Sequence, residues 1–413
     1  MPADAAGLRW TVAQIGAREH YAIPAGFEKA GRLRRLYTDI WTRLGKRALK
    51  AGPLGARALA TRHHSAISGS KVTAFSTATL LKQFFYRSDG TRQDAYKYFE
   101  EFGQWFGKRV ASHLANETWD RRRDVLMAFN TGALECIRVL NSQGVLSIVD
   151  QIDPGRVEED LVQEERSRFP GWATVPGRIP DSYFYRLEQE WTEASLVMVN
   201  SEWSKAALVK QGVPAEKIFV APVIYDLNEE VPARPRHHRR LKALWLGQVI
   251  VRKGIQYVLE AAKALPNVDF DIAGPVLINE HVVRDFPQNV RFLGRVSRDL
   301  TADLYRQSDL FILPTVSDGF AITQLEAMAQ GLPVITTPNC GAVVTHEVDG
   351  LIVPARDGEA FTQAIARLDA DRALLEAMSQ ATARKLPRFS SQTVIGEIET
   401  NALKALAARG LTI

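Results

Sequence analysis

Residues 310–341 read LFILPTVSDGFAITQLEAMAQGLPVITTPNCG, and the fold is decided here. Phe311, Ile312 and Leu313 form a short apolar run, the length of a strand buried on both faces. Pro314 to Gly319 holds the chain breakers. From Ala321 to Gln330 the apolar residues Ile322, Leu325 and Met328 recur at helical spacing, and Gly331 and Pro333 end that helix. A second apolar run, Val334 to Thr336, follows. Strand, loop, helix and strand in this order make a βαβ unit, so the chain is predicted to be an α/β protein with parallel sheets.

Two carboxylates bracket the start of the predicted helix, Asp318 in the loop and Glu326 further along. A helix N-terminus presents unpaired N–H groups and the positive end of its dipole, which suit an anion such as phosphate. Carboxylates beside that anion would repel it, so their natural partners are hydroxyl groups close by. Phosphate and hydroxyls together describe a nucleotide sugar. The other reading is an acidic first turn stabilised by its own dipole.

At this point the sequence resembles the retaining nucleotide-sugar glycosyltransferases of family 4, whose GT-B fold consists of two facing Rossmann-like domains. The family's E-G-F-G-x-x-x-x-E signature corresponds to Asp318, Gly319, Phe320, Ala321 and Glu326, with the spacing intact. The resemblance implies that Asp318 contacts donor-sugar hydroxyls, that Glu326 holds the ribose, and that Gly319, Phe320, Ala321 and Ile322 line the donor site. Asp318 replaces the usual glutamate, and one methylene less shortens the reach by roughly 1.5 Å.

The 413 residues suit two domains of ordinary size, and 46% hydrophobic with 24% charged residues is a globular composition. No run approaches a membrane span, and MPADAAGLRW lacks the blocks of a signal peptide. With only Cys136 and Cys340 there is no disulfide framework, and the chain reads as cytoplasmic. Of the net charge of +5, an excess of eight positive charges falls between Glu28 and His64. There Leu33, Leu36, Tyr37, Ile40, Trp41 and Leu44 recur at helical spacing among Arg32, Arg34, Arg35, Arg43, Lys46 and Arg47. This predicts a basic amphipathic helix, packed on its own sheet or lying on an anionic membrane surface. Nothing specific to nucleic-acid modules accompanies it.

In chain order, Leu8 to Ile15 reads as the first strand, followed by Gly16. The resemblance puts Gly16 beside the donor phosphates, with Arg18, His20 and Tyr21 on the acceptor side. Val72 to Ser76, Asp124 to Phe129, Leu146 to Gln151, Leu196 to Ser201 and Ile218 to Val223 continue the strands, with an aromatic helical insertion over 80–116. The family's histidine, expected after a strand like Leu146 to Gln151, is missing, and VDQIDP stands there with Asp150 and Asp153. Asn228 to Arg240 reads as a linker. The second domain opens with KALWLGQVIVRKGIQYVLEAA. Cations beside a helix start are unfavourable unless an anion joins them, so Arg252 and Lys253 point to a bound diphosphate. The family's G-R-x-x-x-x-K-G pattern is met at Gly247, Lys253 and Gly254, with Gln248 in place of arginine. Gly294 to Val296 would present main-chain groups to the base. Asp269 and Asp271 alternate with apolar residues inside a strand pattern, so they are not read as metal ligands.

The expected domains are 1–226 for the acceptor, 227–390 for the donor, and a crossover helix over 391–413. The implied reaction moves a sugar from a UDP- or GDP-sugar to a glycan or lipid-linked acceptor with retention, with Arg252, Lys253 and Asp318 as the reactive set and no cofactor, metal or nucleic acid. A nucleotide-sugar epimerase or an idle GT-B scaffold are the alternatives. A nicotinamide oxidoreductase is disfavoured, since no G-x-G-x-x-G follows the first strand.

Overall fold

The computed structural model describes residues 7–42, 59, 61–86, 88–227 and 240–411. Two all-parallel sheets dominate. The first has the order β3-β2-β1-β4-β5-β6-β7, made of β1 (Arg9–Gln14), β2 (Leu33–Thr38), β3 (Val72–Ala74), β4 (Asp124–Phe129), β5 (Leu146–Gln151), β6 (Leu196–Val199) and β7 (Ile218–Val220). The second has the order β10-β9-β8-β11-β12-β13, made of β8 (Lys242–Leu246), β9 (Asp269–Ala273), β10 (Val290–Gly294), β11 (Leu310–Leu313), β12 (Val334–Thr336) and β13 (Gly350–Ile352). In both, the order reverses beside the first strand, which opens a crevice at the C-terminal strand edge. The predicted unit over 310–341 is present, with Phe311 beside Val334 in parallel register.

Central strands of parallel sheets are covered by helices on both faces, which explains their unbroken apolar runs. Every residue of β4 and β5 is buried. One apolar core lies on each face of the first sheet, and a third surrounds the second sheet. The last helix, Ser391–Ala408, joins a core of the first sheet through Val394, Ile395, Ile398, Ala402 and Leu406. Burying each large aliphatic contributes about 1.5–3 kcal/mol. Gly26 permits this packing, because a Cβ there would lie 2.6 Å from Ile395 Cγ1. Ser391 N–H donates to Asp226 Oδ1 at 2.7 Å, fixing the helix start against the first domain.

One expectation fails. Residues 33–38 are strand β2, not a basic helix, with Leu33, Leu36, Tyr37 and Thr38 buried. Apolar residues at i, i+3 and i+4 suit a helix, but a strand covered on both faces imposes no alternation and accepts the same pattern. The local signal is Gly31, whose φ of 68° ends the preceding helix Ala22–Lys29. A strand must then follow to complete βαβ. Arg34 is not a solvated cation: its guanidinium pairs with Asp124 at 3.1 Å and Glu117 at 2.9 Å, and covers the Trp119 ring at 3.9 Å. Arg35 donates to Thr73 Oγ1. Arg43, Lys46 and Arg47 lie outside the described residues, as do 228–239 of the expected linker.

The aromatic insertion forms two helices, Ser76–Phe85 and Arg92–Leu114. Phe102 and Phe106 are core, whereas Phe84, Phe85 and Phe99 are exposed. Asp269 and Asp271 lie on β9, paired with Arg240 and with Lys242 and Arg291 respectively. Among the described residues no helix is long and apolar enough to cross a membrane.

Candidate active site

The C-terminal edges of the two sheets face each other across a cavity of about 540 Å³. From the second domain its wall takes Gly247, Gln248, Arg252, Lys253, Asp318, Phe320, Ala321, Ile322, Thr323 and Glu326; from the first it takes Arg18, Glu19, His20, Ile152 and Asn200. Most of the expected site residues therefore converge. Gly16, Tyr21, Gly294, Val296 and Gly319 are not in this lining.

The second-domain wall is shaped by close backbone approaches that only glycine allows. Gly254 has φ 82°, and a Cβ there would lie 1.8 Å from the Pro314 carbonyl oxygen. This contact presses the turn Val251–Lys253 onto the loop carrying Asp318. The Lys253 ammonium consequently contacts the Asp318 carboxylate. Burial and the adjacent Arg252 guanidinium push the Lys253 ammonium down, to about 7, while Glu158 opposes them. Lys253 thus sits where its charged form needs an anionic partner. At Gly319 the domains approach so closely that a Cβ would fall 1.9 Å from the Ile152 carbonyl oxygen.

Arg252 is already engaged. Its guanidinium donates to Glu158 Oε2 at 3.3 Å and to the Ser317 carbonyl at 3.1 Å. Ser317 Oγ donates to the same Glu158 oxygen and accepts from Trp203 Nε1. Arg252 is therefore a strut between the domains as well as a cation at the cavity. Glu326 Oε2 accepts from the Tyr305 hydroxyl at 3.0 Å, which orients the carboxylate in the wall. The helix bearing it is only Thr323–Met328, shorter than the predicted 321–330, and Ala321 before it is left-handed at φ 62°. A non-glycine residue in that region is strained by roughly 1–3 kcal/mol, typical of backbone held at a functional loop.

On the first-domain wall, Gly16 turns away. Its N–H donates to Asp39 Oδ1 at 2.9 Å, and Arg62 covers its α-carbon. Tyr21 is fully buried, its ring edge-on to Trp41 and its hydroxyl donating to the Ile40 carbonyl, so it belongs to the core and not to an acceptor surface. Gly294 instead accepts from Gly274 N–H at 2.7 Å, and Val296 packs on the second core.

Sequence reasoning missed Glu19, Ile152, Asn200 and Thr323 as wall residues. Glu19 stands between two residues that were singled out, yet nothing local marks it. Burial pushes its carboxyl up to about 7, while Arg18 opposes. Asp150, in place of the expected histidine, is buried at the end of β5. Burial first, and then the Glu19 charge, raise its carboxyl well above the usual range.

Comparison with known proteins fits this geometry. Residues 240–371 match the family model described as Glycosyl transferases group 1. The putative colanic acid biosynthesis glycosyltransferase WcaL of Escherichia coli K12 is 27% identical over 253 residues, covering 54% of this chain and 60% of that protein. Alpha-galactosylglucosyldiacylglycerol synthase of Streptococcus pneumoniae is 29% identical over 174 residues, 37% of this chain and 45% of the relative. These matches thus span about half the length of the curated relatives. Among solved structures, Anabaena HepE in complex with UDP and glucose superposes with TM-score 0.63 at 15% identity, covering 96% of this chain and 99% of that one. Sucrose-phosphate synthase from Thermosynechococcus elongatus gives 0.66 at 16% identity, covering 97% and 100%. The chain has the GT-B fold, and its second domain resembles the glycosyl transferases group 1 family.

Proposed function

We propose that this protein is a cytoplasmic retaining glycosyltransferase that moves a hexose from a UDP- or GDP-sugar to a hydroxyl of a glycan or lipid-linked acceptor, in polysaccharide or glycolipid assembly. The observation that carries this reading is the wall on which Lys253, Arg252, Asp318 and Glu326 converge, opposite Arg18 and His20 of the other domain. The names of WcaL and of the diacylglycerol glycoside synthase support the class of product, and the UDP and glucose bound to HepE support the class of donor. In this assignment residues 1–226 receive the acceptor, 227–390 hold the donor, and 391–413 tie the two.

As the bond from the anomeric carbon to the diphosphate breaks, its electron pair leaves with the phosphate and negative charge grows there. Lys253, with Arg252 beside it, stabilises that charge. Asp318 accepts from sugar hydroxyls and Glu326 from the ribose, so both position the donor. The acceptor oxygen bonds to the anomeric carbon on the face the diphosphate leaves, and its proton passes to the leaving phosphate oxygen.

The test is a thermal-shift screen against UDP-, GDP- and ADP-sugars, since ligand binding to the native state raises apparent stability with the logarithm of concentration. The anomeric configuration of the product is then read by NMR, with and without EDTA. A shift with one nucleotide class, and a retained anomer formed in EDTA, are expected. An altered sugar nucleotide recovered without glycoside would instead mark an epimerase.

A further inference from the structure

Behind the first-domain wall the ends of three strands leave polar atoms with nothing to bind. Asp150 Oδ2, Asn130 Nδ2 and Gln14 Oε1 are buried and have no hydrogen-bond partner among the described residues. A buried polar group without a partner is destabilising by about 1–3 kcal/mol, so three beside one turn indicate a place kept for something else. These atoms lie at or just after the ends of β5, β4 and β1, the edge where open parallel sheets bind ligands. Arg18 joins them, its guanidinium donating to Asn130 Oδ1 and standing over the Phe129 ring at 5.8 Å. The next three residues, Glu19, His20 and Tyr21, are all left-handed, with φ 48°, 53° and 63°. That consecutive strain holds Glu19 in the cavity wall while Tyr21 anchors the turn in the core.

We propose that Glu19, backed by Asp150, is the acceptor-binding carboxylate of this cleft: when ionised, it accepts a hydrogen bond from a hydroxyl of the incoming sugar acceptor. The proposal rests on the glycosyltransferase reading above and adds to it the residue that receives the acceptor. No proton is transferred to Glu19; the hydroxyl it holds keeps its own.

The electrostatics set the pH window. Glu19 faces Arg18 on its own turn and Asp150 on β5, with Asp153 further along the chain near Arg18 and Arg252, and Lys253 and Asp318 across the cavity. Burial raises Glu19 to about 7. Burial first, and then the Glu19 charge, hold the Asp150 carboxyl behind it well above the usual carboxylate range. Acceptor binding by an ionised Glu19 is therefore weak below pH 7 and strengthens above it. A hydroxyl that bonds to the ionised form must lower the Glu19 midpoint in return.

The test uses the full chain with ¹³C-carboxyl-labelled glutamate, saturated with UDP, and takes as probes the methyl glycosides of glucose, galactose and N-acetylglucosamine. The Glu19 resonance is identified by its absence in Glu19→Gln. It should titrate near pH 7, and at least one glycoside should move its midpoint down by half a unit or more. Transfer from UDP-glucose to that glycoside should rise with pH through the same midpoint. In Glu19→Gln its kcat/KM should fall tenfold or more and lose that inflection, with the Kd for UDP within twofold of wild type. A Glu19 midpoint that no glycoside moves overturns the proposal, as does a Glu19→Gln protein with wild-type kcat/KM and pH profile. If the wild type binds UDP and either result appears, only the acceptor assignment falls. If it binds no UDP, GDP or ADP, the nucleotide-sugar reading falls, and the acceptor assignment with it.

Discussion

The two walls of the cleft are built on different principles. The second-domain wall is local and its charges are paired: Lys253 contacts Asp318, Arg252 is held by Glu158 and Ser317, and Glu326 by Tyr305. Two short loops, pressed together at Gly254, carry most of it. The first-domain wall is carried by the turn of Arg18, Glu19 and His20, and behind it, outside the cavity lining, Asp150, Asn130 and Gln14 keep buried atoms without a partner among the described residues. A site for one fixed chemical group, such as a diphosphate, can be prepared in advance by paired charges. A site for a variable partner presents a polar group at its wall, as proposed for Glu19, and its specificity comes from which hydroxyl meets that group.

The largest expected effect breaks the pairing on the second wall. Lys253→Ala removes the cation nearest the proposed leaving diphosphate. Turnover at saturating donor should fall 10²-fold or more, about 2.7 kcal/mol of barrier. The rate should suffer more than donor affinity, because the charge grows only in the transition state. The sequence alone suggested an apo protein unharmed by this change, since a cation at a helix start is unfavourable. The Lys253–Asp318 contact reverses that expectation: without lysine a largely buried carboxylate loses its partner, so the melting temperature should drop. Lys253→Ala combined with Asp318→Asn should recover part of the loss. Full turnover in folded Lys253→Ala would remove the diphosphate assignment.

This contrast also explains what could be read from residues alone. The second wall lies in contiguous motifs, so Lys253, Asp318, Phe320 and Glu326 are legible from the residues alone, and all line the cavity. Strands β4, β5 and β11 are legible for the same reason, being short apolar runs between breakers. Glu19 was passed over because its significance depends on partners far along the chain; Arg18 and Asn130, for example, are 112 positions apart. Tyr21 is placed on the acceptor side by the resemblance alone, whereas the strained turn sends it into the core. Strand β2 reads as a helix because Arg34 looks solvated, and its partners Glu117, in the turn after the long helix, and Asp124, on β4, are far along the chain.

A middle-sized effect sharpens the donor side. Glu326→Gln should lose about 1.5–3 kcal/mol of nucleotide affinity, the range for a hydrogen bond to a charged group. Calorimetry with UDP and with uracil separates the possibilities. If Glu326 holds the ribose, UDP binding weakens while uracil binding stays the same. Equal affinities for UDP in wild type and variant would mean that Glu326 serves only to anchor Tyr305, whose hydroxyl it accepts.

The smallest effect concerns the strut between the walls. Glu158 draws Arg252 toward the first domain at 3.3 Å, and the two side chains are 18% and 26% exposed. A pair so close to solvent contributes about 0.2–1 kcal/mol, so Glu158→Gln should lower the melting temperature only slightly. Arg252 would then keep the Ser317 carbonyl and gain freedom to meet the diphosphate. Its competing carboxylate gone, UDP should bind up to about fivefold more tightly, the equivalent of 1 kcal/mol. Salt provides the control: at high ionic strength the strut and the gain should both shrink, because both depend on incompletely buried charge. Unchanged or weaker UDP binding in Glu158→Gln would show that the strut holds Arg252 in its useful position instead of withholding it. Lys253 would then act beside an arginine that is part of the frame.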